Sequence, residues 1–381
     1  MAKKANKAKR GEKGGERRAP ARKSVTLKDV AESVGLSTAT VSLVLNRAPA
    51  GESIPAETHE RVLAAARALD YRPNFVARSL QSRRTFSIGV LVPEIAEGYT
   101  TGVLSGIEDH LVREGYFYLL ASHRFEDRLV TENLEVLKDR LVDGLILVNT
   151  KLTESPGLPA VSISSRNRVS GVTDVILDHD RAAEVALTHL AELGHKKIAV
   201  LRGHPLTADA SVRWEAIEKA SERLGLEIPE ELALQLGGTS ATEESSPEVH
   251  YREGYIYGQL LLEAATDFTA CFAFNDVSAI GTMRAFADAG LGVPEDISVI
   301  GFDDIESAAF HRPSLTTVRQ PLHEMGQIAS RHLLELLAEG TDDADVITVE
   351  PSLVVRESTG PARGRSVVAT LVRGDGAAPA R

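Results

Sequence analysis

Residues 26–46 read TLKDVAESVGLSTATVSLVLN, and this stretch predicts two short helices joined by a tight turn. Thr26 can cap the first helix, and Asp29 is placed three residues later, where it completes a capping box. Gly35 can adopt the left-handed conformation that ends a helix. Ser37 then offers the cap of a second helix. The order of cap, glycine and cap predicts a helix-turn-helix unit rather than an ordinary helical hairpin packed in a core.

The first turn of the second predicted helix carries small side chains that lie near its exposed start. With Val41, Val44 and Leu45 on the opposite, apolar side, such a helix fits the major groove of DNA. The residues expected to lie against DNA on this basis are Thr38, Ala39, Thr40 and Ser42.

Composition bounds the remaining possibilities. A length of 381 residues, with 43% hydrophobic and 25% charged residues, predicts a soluble globular protein of two or three domains. The net charge of -11 does not argue against DNA binding, because charges are screened over roughly 10 Å and a basic domain acts independently of an acidic one. The single cysteine, Cys271, fits a reducing cytosol. No apolar run suggests a membrane span, and the basic start, residues 1–23, predicts a disordered tail rather than a secretory signal.

The chain after residue 46 predicts a third helix and then a linker. Val62, Leu63, Ala66 and Leu69 recur at helical spacing and can close a small three-helix core. The following segment, NFVARSLQSRR in residues 74–84, is too short to be a stable helix in water by itself. We therefore expect a linker that folds only when something holds it.

The chain resembles the lac repressor (LacI/GalR) family of bacterial transcription regulators. The resemblance rests on VTLKDVAESVGLSTATVSLVLN, IPAETHERV and DYRPNFVARSL, and it continues to about Ser358. It implies a homodimer on a pseudopalindromic operator, with the linker as a paired hinge helix and Leu80 wedged into the minor groove. The further DNA contacts implied by the resemblance are Thr26, Ser37, Leu43, Asn46, Tyr71, Asn74, Ala77 and Arg78. Leu43 stands where many relatives have a base-reading residue, so the operator sequence does not carry over.

The rest of the chain alternates apolar strands with amphipathic helices. Strands such as FSIGVLVP and VDGLILVN alternate with helices, and the alternation restarts at KKIAVLRG. This pattern predicts parallel sheets with crossover helices, arranged as two α/β lobes. The resemblance implies a periplasmic-binding-protein-like clamp in which LTTVRQP crosses back to the first lobe and ITVEPSLVV pairs in the second. The predicted domains are the DNA-binding unit at 24–73, the hinge at 74–84, the two-lobed domain at 85–358, and a disordered tail at 359–381.

Ligands in open α/β sheets bind beyond the carboxyl ends of the strands, where polar residues of this chain recur. Asn275 follows one predicted strand and Asp303 ends another, and both match ligand contacts of the family. The alternative for both is helix capping. The full set expected to bind the effector is Tyr99, Asp178, Arg213, Asn275, Asp303 and Gln320. An arginine, a carboxylate, an amide and an aromatic suit a polyhydroxylated or planar polar ligand.

Two departures from the family leave the ligand open. Ser164 stands where relatives often have an aspartate, and His179 stands where asparagine is usual. The expected regulator is therefore a repressor of genes for sugars or other small metabolites. The open alternatives are a purine- or nucleoside-type corepressor-dependent regulator and a constitutive DNA binder with a degenerate pocket.

An enzyme is a much weaker alternative. The sequence has no GxSxG elbow, P-loop, GxGxxG after a strand, or HExxH. No histidine has metal-ligand spacing to a cysteine or another histidine, so neither metal nor cofactor is expected. A free-standing solute-binding protein is disfavoured by the N-terminal unit. We expect a cytoplasmic protein.

Overall fold

The computed structural model describes residues 25–45, 53–71, 84–96, 98–164, 169–237, 247–264, 267–340 and 344–363. The chain divides into two compact units, Met1–Arg83 and Arg84–Arg381. Asn46 and the predicted hinge residues Asn74, Ala77, Arg78 and Leu80 lie outside the described residues, as does the basic tail. No helix within those ranges is both long and apolar enough to cross a membrane.

The first unit contains α1 (Leu27–Val34), α2 (Thr38–Leu45) and α3 (Ala56–Ala68). Thr26 caps α1 in a capping box: its backbone N–H donates to Asp29 Oδ2 at 2.7 Å, and the N–H of Asp29 donates back to Thr26 Oγ1 at 3.3 Å. Gly35 ends α1 with a φ of 66°, in the left-handed region. Ser37 Oγ accepts the N–H of Thr40 at 3.1 Å and so caps α2. The predicted order of caps and turn is present.

The three helices enclose a small apolar core. It consists of Val30, Ala31, Val41, Val44, Val62 and Ala66. Leu69 and Tyr71 pack against it, whereas Leu63 is 43% exposed. The small size of the buried residues lets the three short helices approach closely.

The second unit contains two six-stranded sheets. The first has the order β11-β5-β4-β3-β1-β2 and defines lobe 1. Its strands are β1 (Ser87–Val92), β2 (Phe117–Ser122), β3 (Gly144–Val148), β4 (Ala160–Ile163), β5 (Val172–Leu177) and β11 (Val346–Val349). The second has the order β12-β10-β9-β8-β6-β7 and defines lobe 2. Its strands are β6 (Ile198–Arg202), β7 (Ala233–Gln235), β8 (Ala270–Phe272), β9 (Ser298–Asp303), β10 (Thr316–Arg319) and β12 (Ser352–Val354). The predicted two α/β lobes are confirmed.

Helices connect the strands in both lobes. They are α4 (Tyr99–Arg113), α5 (Asp127–Asp139), α6 (His179–Glu192), α7 (Ala210–Leu224), α8 (Pro247–Glu263), α9 (Asp276–Asp288), α10 (Glu306–Phe310) and α11 (Leu322–Glu339), with a 3-10 turn at Glu230–Leu232. Most of the central strands are buried on both faces, because helices cover the sheets.

The chain passes between the lobes at three points: after β5, after β10 and after β11. The segment expected to pair wholly in lobe 2, ITVEPSLVV, instead contributes a strand to each lobe. Val346–Val349 runs parallel to β5, and Ser352–Val354 runs antiparallel to β10. Pro351 lies between the two strands and has no N–H to donate to a ladder. The strand LTTVR likewise lies in lobe 2, and the crossing begins after it, at Gln320.

The described chain extends five residues beyond the expected boundary at 358. Thr359 Oγ1 lies 2.9 Å from His189 Nε2, and the N–H of Gly360 donates to Ser298 Oγ at 3.0 Å. The N–H of Ala362 donates to the carbonyl of Leu193 at 2.8 Å. These bonds attach residues 359–362 to lobe 2.

Glycine lets two helix pairs approach closely. In lobe 1, a Cβ added to Gly106 of α4 would collide with the carbonyl oxygen of His323 on α11. In lobe 2, a Cβ added to Gly281 of α9 would likewise collide with the carbonyl oxygen of Tyr251 on α8. Because the neighbouring atoms are backbone, they cannot rotate aside.

We therefore expect Gly106→Ala to lower the free energy of unfolding by about 2–3 kcal/mol or more, since it overpacks the α4–α11 contact. Urea unfolding followed by circular dichroism measures the change. The control is Ser105→Ala, at an exposed position of the same helix, which should stay within about 0.5 kcal/mol. Equal stability of Gly106→Ala and the parent would contradict the close packing of α4 on α11.

Candidate functional site

The candidate nucleic-acid interface is the start of α2. Ser37, Thr38 and Ala39 are exposed, and Thr40 is half-buried. Ser42 and Leu43 are also half-buried, so they are partly open to a partner. Thr26 is exposed but engaged as the cap of α1, and half-buried Tyr71 packs against the core. The arrangement presents a flat helix start of small polar groups beside a supporting helix, which suits a groove of duplex DNA.

A second candidate site surrounds Arg213, which is almost wholly buried at the start of α7. Its Nη2 donates to Asp209 Oδ2 at 2.6 Å, and its Nη1 donates to the carbonyl of Phe274 at 2.6 Å. The guanidinium lies over two rings, 4.3 Å from the centroid of Phe274 and 3.7 Å from that of Phe302. The charge of Arg213 is thus paired, hydrogen-bonded and stacked.

Asp209 and His179 complete the surroundings of Arg213. Burial raises the pKa of Asp209, but the charge of Arg213 and the hydrogen bond that it donates hold the pKa below its ordinary value. His179 Nε2 lies 3.7 Å from Asp209 Oδ2, and its ring is stacked on Phe302. Burial lowers the pKa of His179 to about 4, despite the opposing effect of Asp209, so the imidazole is neutral at physiological pH.

Asp303 lies at the carboxyl end of β9 and is buried. Its Oδ1 accepts a hydrogen bond from Gln320 Nε2 at 2.6 Å. Burial raises the pKa of Asp303 to about 7, although Arg213 and the bond from Gln320 both lower it. Gln320 Oε1 is buried and has no hydrogen-bond partner among the described residues. It is an acceptor that a ligand donor can satisfy.

Lobe 1 contributes Tyr99 to the same site. Its hydroxyl donates to Ser164 Oγ at 2.8 Å. Burial raises the pKa of Tyr99, the carboxylates of Asp209 and Asp303 raise it further, and Arg213 lowers it. The charged groups of Asp209, Asp303 and Arg213 in lobe 2 are therefore near the hydroxyl of Tyr99 in lobe 1. We use the name interlobe site for Tyr99, Asp209, Arg213, Asp303 and Gln320.

The lobes also touch directly beside the interlobe site. Asn149, which follows β3 of lobe 1, accepts the N–H of Ala208 from lobe 2 at 2.7 Å. A Cβ added to Gly98, at the start of α4, would lie in van der Waals range of Val277 and Ile305 of lobe 2. The structure thus has the lobes in contact around the site.

Two of the residues predicted to bind the effector cap helices. Asp178 caps α6 by accepting the N–H of Arg181 at 2.8 Å. Asn275 caps α9 by accepting the N–H of Ser278 at 2.8 Å. The capping alternative weighed for Asn275 accounts for its Oδ1, and Asp178 caps a helix as well. The interlobe site brings together Tyr99, Arg213, Asp303 and Gln320 of the predicted set.

Sequence reasoning missed Asp209 and Asn149. Asp209 lies four residues before Arg213, a spacing that places two side chains on one helix face and could have indicated the ion pair. Asn149 directly follows β3, much as Asp303 ends β9, and the same rule could have selected it. No sequence pattern indicated that Phe274 and Phe302 lie against Arg213, because this contact joins a helix to strands that are distant in sequence. No cluster able to hold a metal ion occurs within the described ranges.

Comparisons with known proteins agree with this architecture. A family model described as bacterial regulatory proteins, lacI family, matches residues 26–74, and a periplasmic binding protein-like domain matches residues 187–359. The HTH-type transcriptional repressor PurR of Haemophilus influenzae is 36% identical over 343 residues, covering 87% of this chain and 98% of that protein.

Solved structures show the same likeness. The lac repressor dimer bound to operator and the anti-inducer ONPF matches with a TM-score of 0.71 and 29% identity, over 89% of this chain and 100% of that one. The complex of the transcriptional regulator CelR with cellobiose matches with a TM-score of 0.63 and 28% identity, over 88% and 99%.

The pKa of Asp303 makes a prediction for stability. The pKa of Asp303 is about 7 in the folded state and 3.8 ordinarily, so the folded protein holds this proton more tightly than the unfolded chain does. The stabilisation that results is complete below pH 3.8 and is lost as the pH rises through 7. We therefore expect Asp303→Asn to raise the free energy of unfolding more at pH 8 than at pH 5, by a difference on the order of 1–3 kcal/mol. Urea unfolding at the two pH values measures it. The prediction fails if parent and variant change equally with pH.

Proposed function

Since the chain belongs to the lacI family of bacterial transcriptional regulators, we propose that it is a repressor that binds a pseudopalindromic operator as a homodimer. A small polar ligand enclosed at the interlobe site changes its affinity for the operator. The protein acts in the cytoplasm, where both its DNA and its metabolite ligand are found. The observation that carries this proposal is the convergence of Arg213, Asp303 and Tyr99 between the two lobes.

The proposed DNA reader is the exposed start of α2. Thr38 and Ala39 present small side chains at the surface, and Ser37 and Thr26 hold the two helices by capping them. Two copies of this unit in a homodimer would read the two half-sites, because operator symmetry mirrors protein symmetry. The domain limits proposed for the reader and hinge are 24–73 and 74–84.

The proposed ligand contacts combine hydrogen-bond acceptors with apolar aromatic surface. Asp303 accepts hydrogen bonds, and the buried Oε1 of Gln320 is an acceptor with no partner among the described residues. Tyr99 and the rings beside Arg213 provide apolar walls. Such a mixture of a few polar groups and aromatic surface is typical of sites that enclose a small polar ligand.

In this proposal, ligand binding is coupled to DNA binding through the chain segments that cross between the lobes. Gln320 donates to Asp303 and is the first residue after β10, where the chain leaves lobe 2. Asp304, which follows Asp303 in the chain, accepts hydrogen bonds from Arg319 at 2.6 Å and from Arg356 at 2.5 Å. A ligand bound to Asp303 thus acts on the connections that set the angle between the lobes.

The central test replaces Arg213. Arg213→Ala removes the ion pair with Asp209 and both ring contacts, so it should abolish the change in operator affinity caused by ligand, a loss of at least tenfold in the response. Operator affinity without ligand should stay within about threefold of the parent. Fluorescence anisotropy with a labelled operator, with and without a sugar or purine that stabilises the parent, measures both.

The matched control is Arg223→Ala, on the same helix. Arg223 is exposed and pairs with Glu184 at 3.4 Å, so its loss should change neither quantity, because exposed ion pairs contribute little. An unchanged ligand response in Arg213→Ala would remove this residue from the site.

The proposed role of Leu80 is tested separately. A leucine inserted between base pairs offsets an unstacking cost of a few kcal/mol per step. Leu80→Ala should therefore weaken binding to the operator by about tenfold or more, since the lost apolar transfer energy is roughly 1–3 kcal/mol. Binding to a scrambled duplex, which depends on phosphate contacts, should hardly change. Equal losses on both duplexes at one salt concentration would exclude Leu80 from operator recognition.

A further inference from the structure

The exposed face of α2 carries no side chain that can read a base edge through paired hydrogen bonds. Residues 37–45 read STATVSLVL, without arginine, lysine, asparagine, glutamine, aspartate or glutamate. Two of the hydroxyls serve the helix itself, because Ser37 Oγ accepts the N–H of Thr40 at 3.1 Å and lies 2.9 Å from Thr40 Oγ1. The hydrogen-bonding capacity of this face is therefore small.

The two residues at the centre of the exposed face are apolar. Val41 and Val44 are buried in the three-helix core and so fix the orientation of α2. Successive residues of a helix are rotated by about 100°, which places Ala39 and Leu43 together on the side opposite those two valines. Ala39 is exposed, and Leu43 is half-buried without belonging to the apolar cluster that the described residues of this unit form. A leucine and an alanine thus form the part of α2 that a groove would meet.

The bases of duplex DNA present different chemical groups in the major groove. Guanine is read by arginine or lysine, adenine by asparagine or glutamine, and cytosine by a carboxylate, whereas thymine presents a methyl group at C5. An apolar side chain in the groove gains by contact with that methyl group, because the contact removes the apolar surface of both partners from water. Serine and threonine hydroxyls bond to several base edges and therefore discriminate little.

We propose that Leu43 is a specificity-determining residue that contacts the C5 methyl group of thymine in each operator half-site, with Ala39 extending the same apolar contact. The preferred half-sites accordingly carry thymine beneath α2, and their recognition there depends on methyl groups rather than on hydrogen bonds to base edges. This inference rests on the proposed binding of operator DNA by the start of α2. It adds which base that helix selects and which residue selects it.

Deoxyuridine tests the proposal, because it differs from thymidine only in lacking the C5 methyl group and leaves the base pairing and the minor groove unchanged. The full chain first selects its operator from random duplexes. Each thymine of the selected sequence is then replaced by deoxyuridine in both half-sites, and affinity is measured by fluorescence anisotropy at one salt concentration. At one or two thymines per half-site we expect a loss of about threefold, and about tenfold when both half-sites are replaced, which corresponds to one buried methyl group in each.

Leu43→Ala identifies the side chain that reads the methyl group. In this variant the same deoxyuridine replacement should change affinity by less than about 1.5-fold, because the apolar partner of the methyl group is gone. Leu43→Met keeps an apolar side chain of similar volume and should keep most of the deoxyuridine penalty. The pair of variants separates a lost contact from lost folding, and thermal unfolding followed by circular dichroism confirms that each variant is folded.

The matched control is Leu63→Ala. Leu63 is a leucine of α3 in the same unit and is 43% exposed. Its truncation removes the same atoms outside the proposed contact, so the full deoxyuridine penalty should remain. Replacement of thymine by deoxyuridine in a scrambled duplex should hardly change affinity, because non-specific binding depends on phosphate contacts.

Two outcomes would overturn the proposal. One is a selected operator whose affinity changes by less than about twofold at every deoxyuridine position, since a buried methyl group is worth more than that. The other is a deoxyuridine penalty as large in Leu43→Ala as in the parent. A chain that selects a palindromic operator and shows either outcome remains the proposed regulator and loses only the role of Leu43. A chain that selects no duplex contradicts the proposed function, and with it this inference.

Discussion

The burial of the Arg213 charge is the constraint on which the centre of the molecule depends. A guanidinium taken out of water is tolerated only if its charge is paired and its N–H groups are bonded. Asp209 supplies the charge from the start of the same helix, and the carbonyl of Phe274, two residues after β8, supplies an acceptor. Phe302 of β9 closes one face of the guanidinium at 3.7 Å. One side chain thereby fixes α7 against two neighbouring strands of lobe 2.

The same constraint extends to His179, the first residue of α6. His179 stacks on Phe302 and lies 3.7 Å from Asp209, so the start of α6 is held to the buried ion pair. The imidazole remains neutral because burial outweighs the attraction of Asp209. A neutral histidine can share the carboxylate without adding a second charge that would need its own partner. An asparagine at this position would lack the ring that stacks on Phe302.

Much of the fold could be predicted from the sequence, because its strongest signals are local. Capping residues, Gly35 and helical periodicity define the first unit, and apolar strands alternating with helices define the two lobes. The division of ITVEPSLVV between the lobes could not be predicted, because it depends on which distant strand each half meets. The same limit applies to the site. Strand ends indicated Asp303, but the pairing of Arg213 with Asp209 and its two rings follows from three-dimensional packing.

Asp303 and Asp304 show how the site is connected to the lobe crossings. Both have positive φ values, 112° and 59°, which side chains other than glycine rarely adopt. Such backbone persists only where its surroundings hold it. Asp303 is held by Gln320, and Asp304 is held by Arg319 and Arg356, which flank the second and third crossings. Because the two aspartates are adjacent, a ligand bound as we propose, which would draw Asp303 away from Gln320, would also change the geometry from which Asp304 holds the crossings. The proposed binding between the lobes and the angle between them would therefore be linked through two residues at the end of one strand.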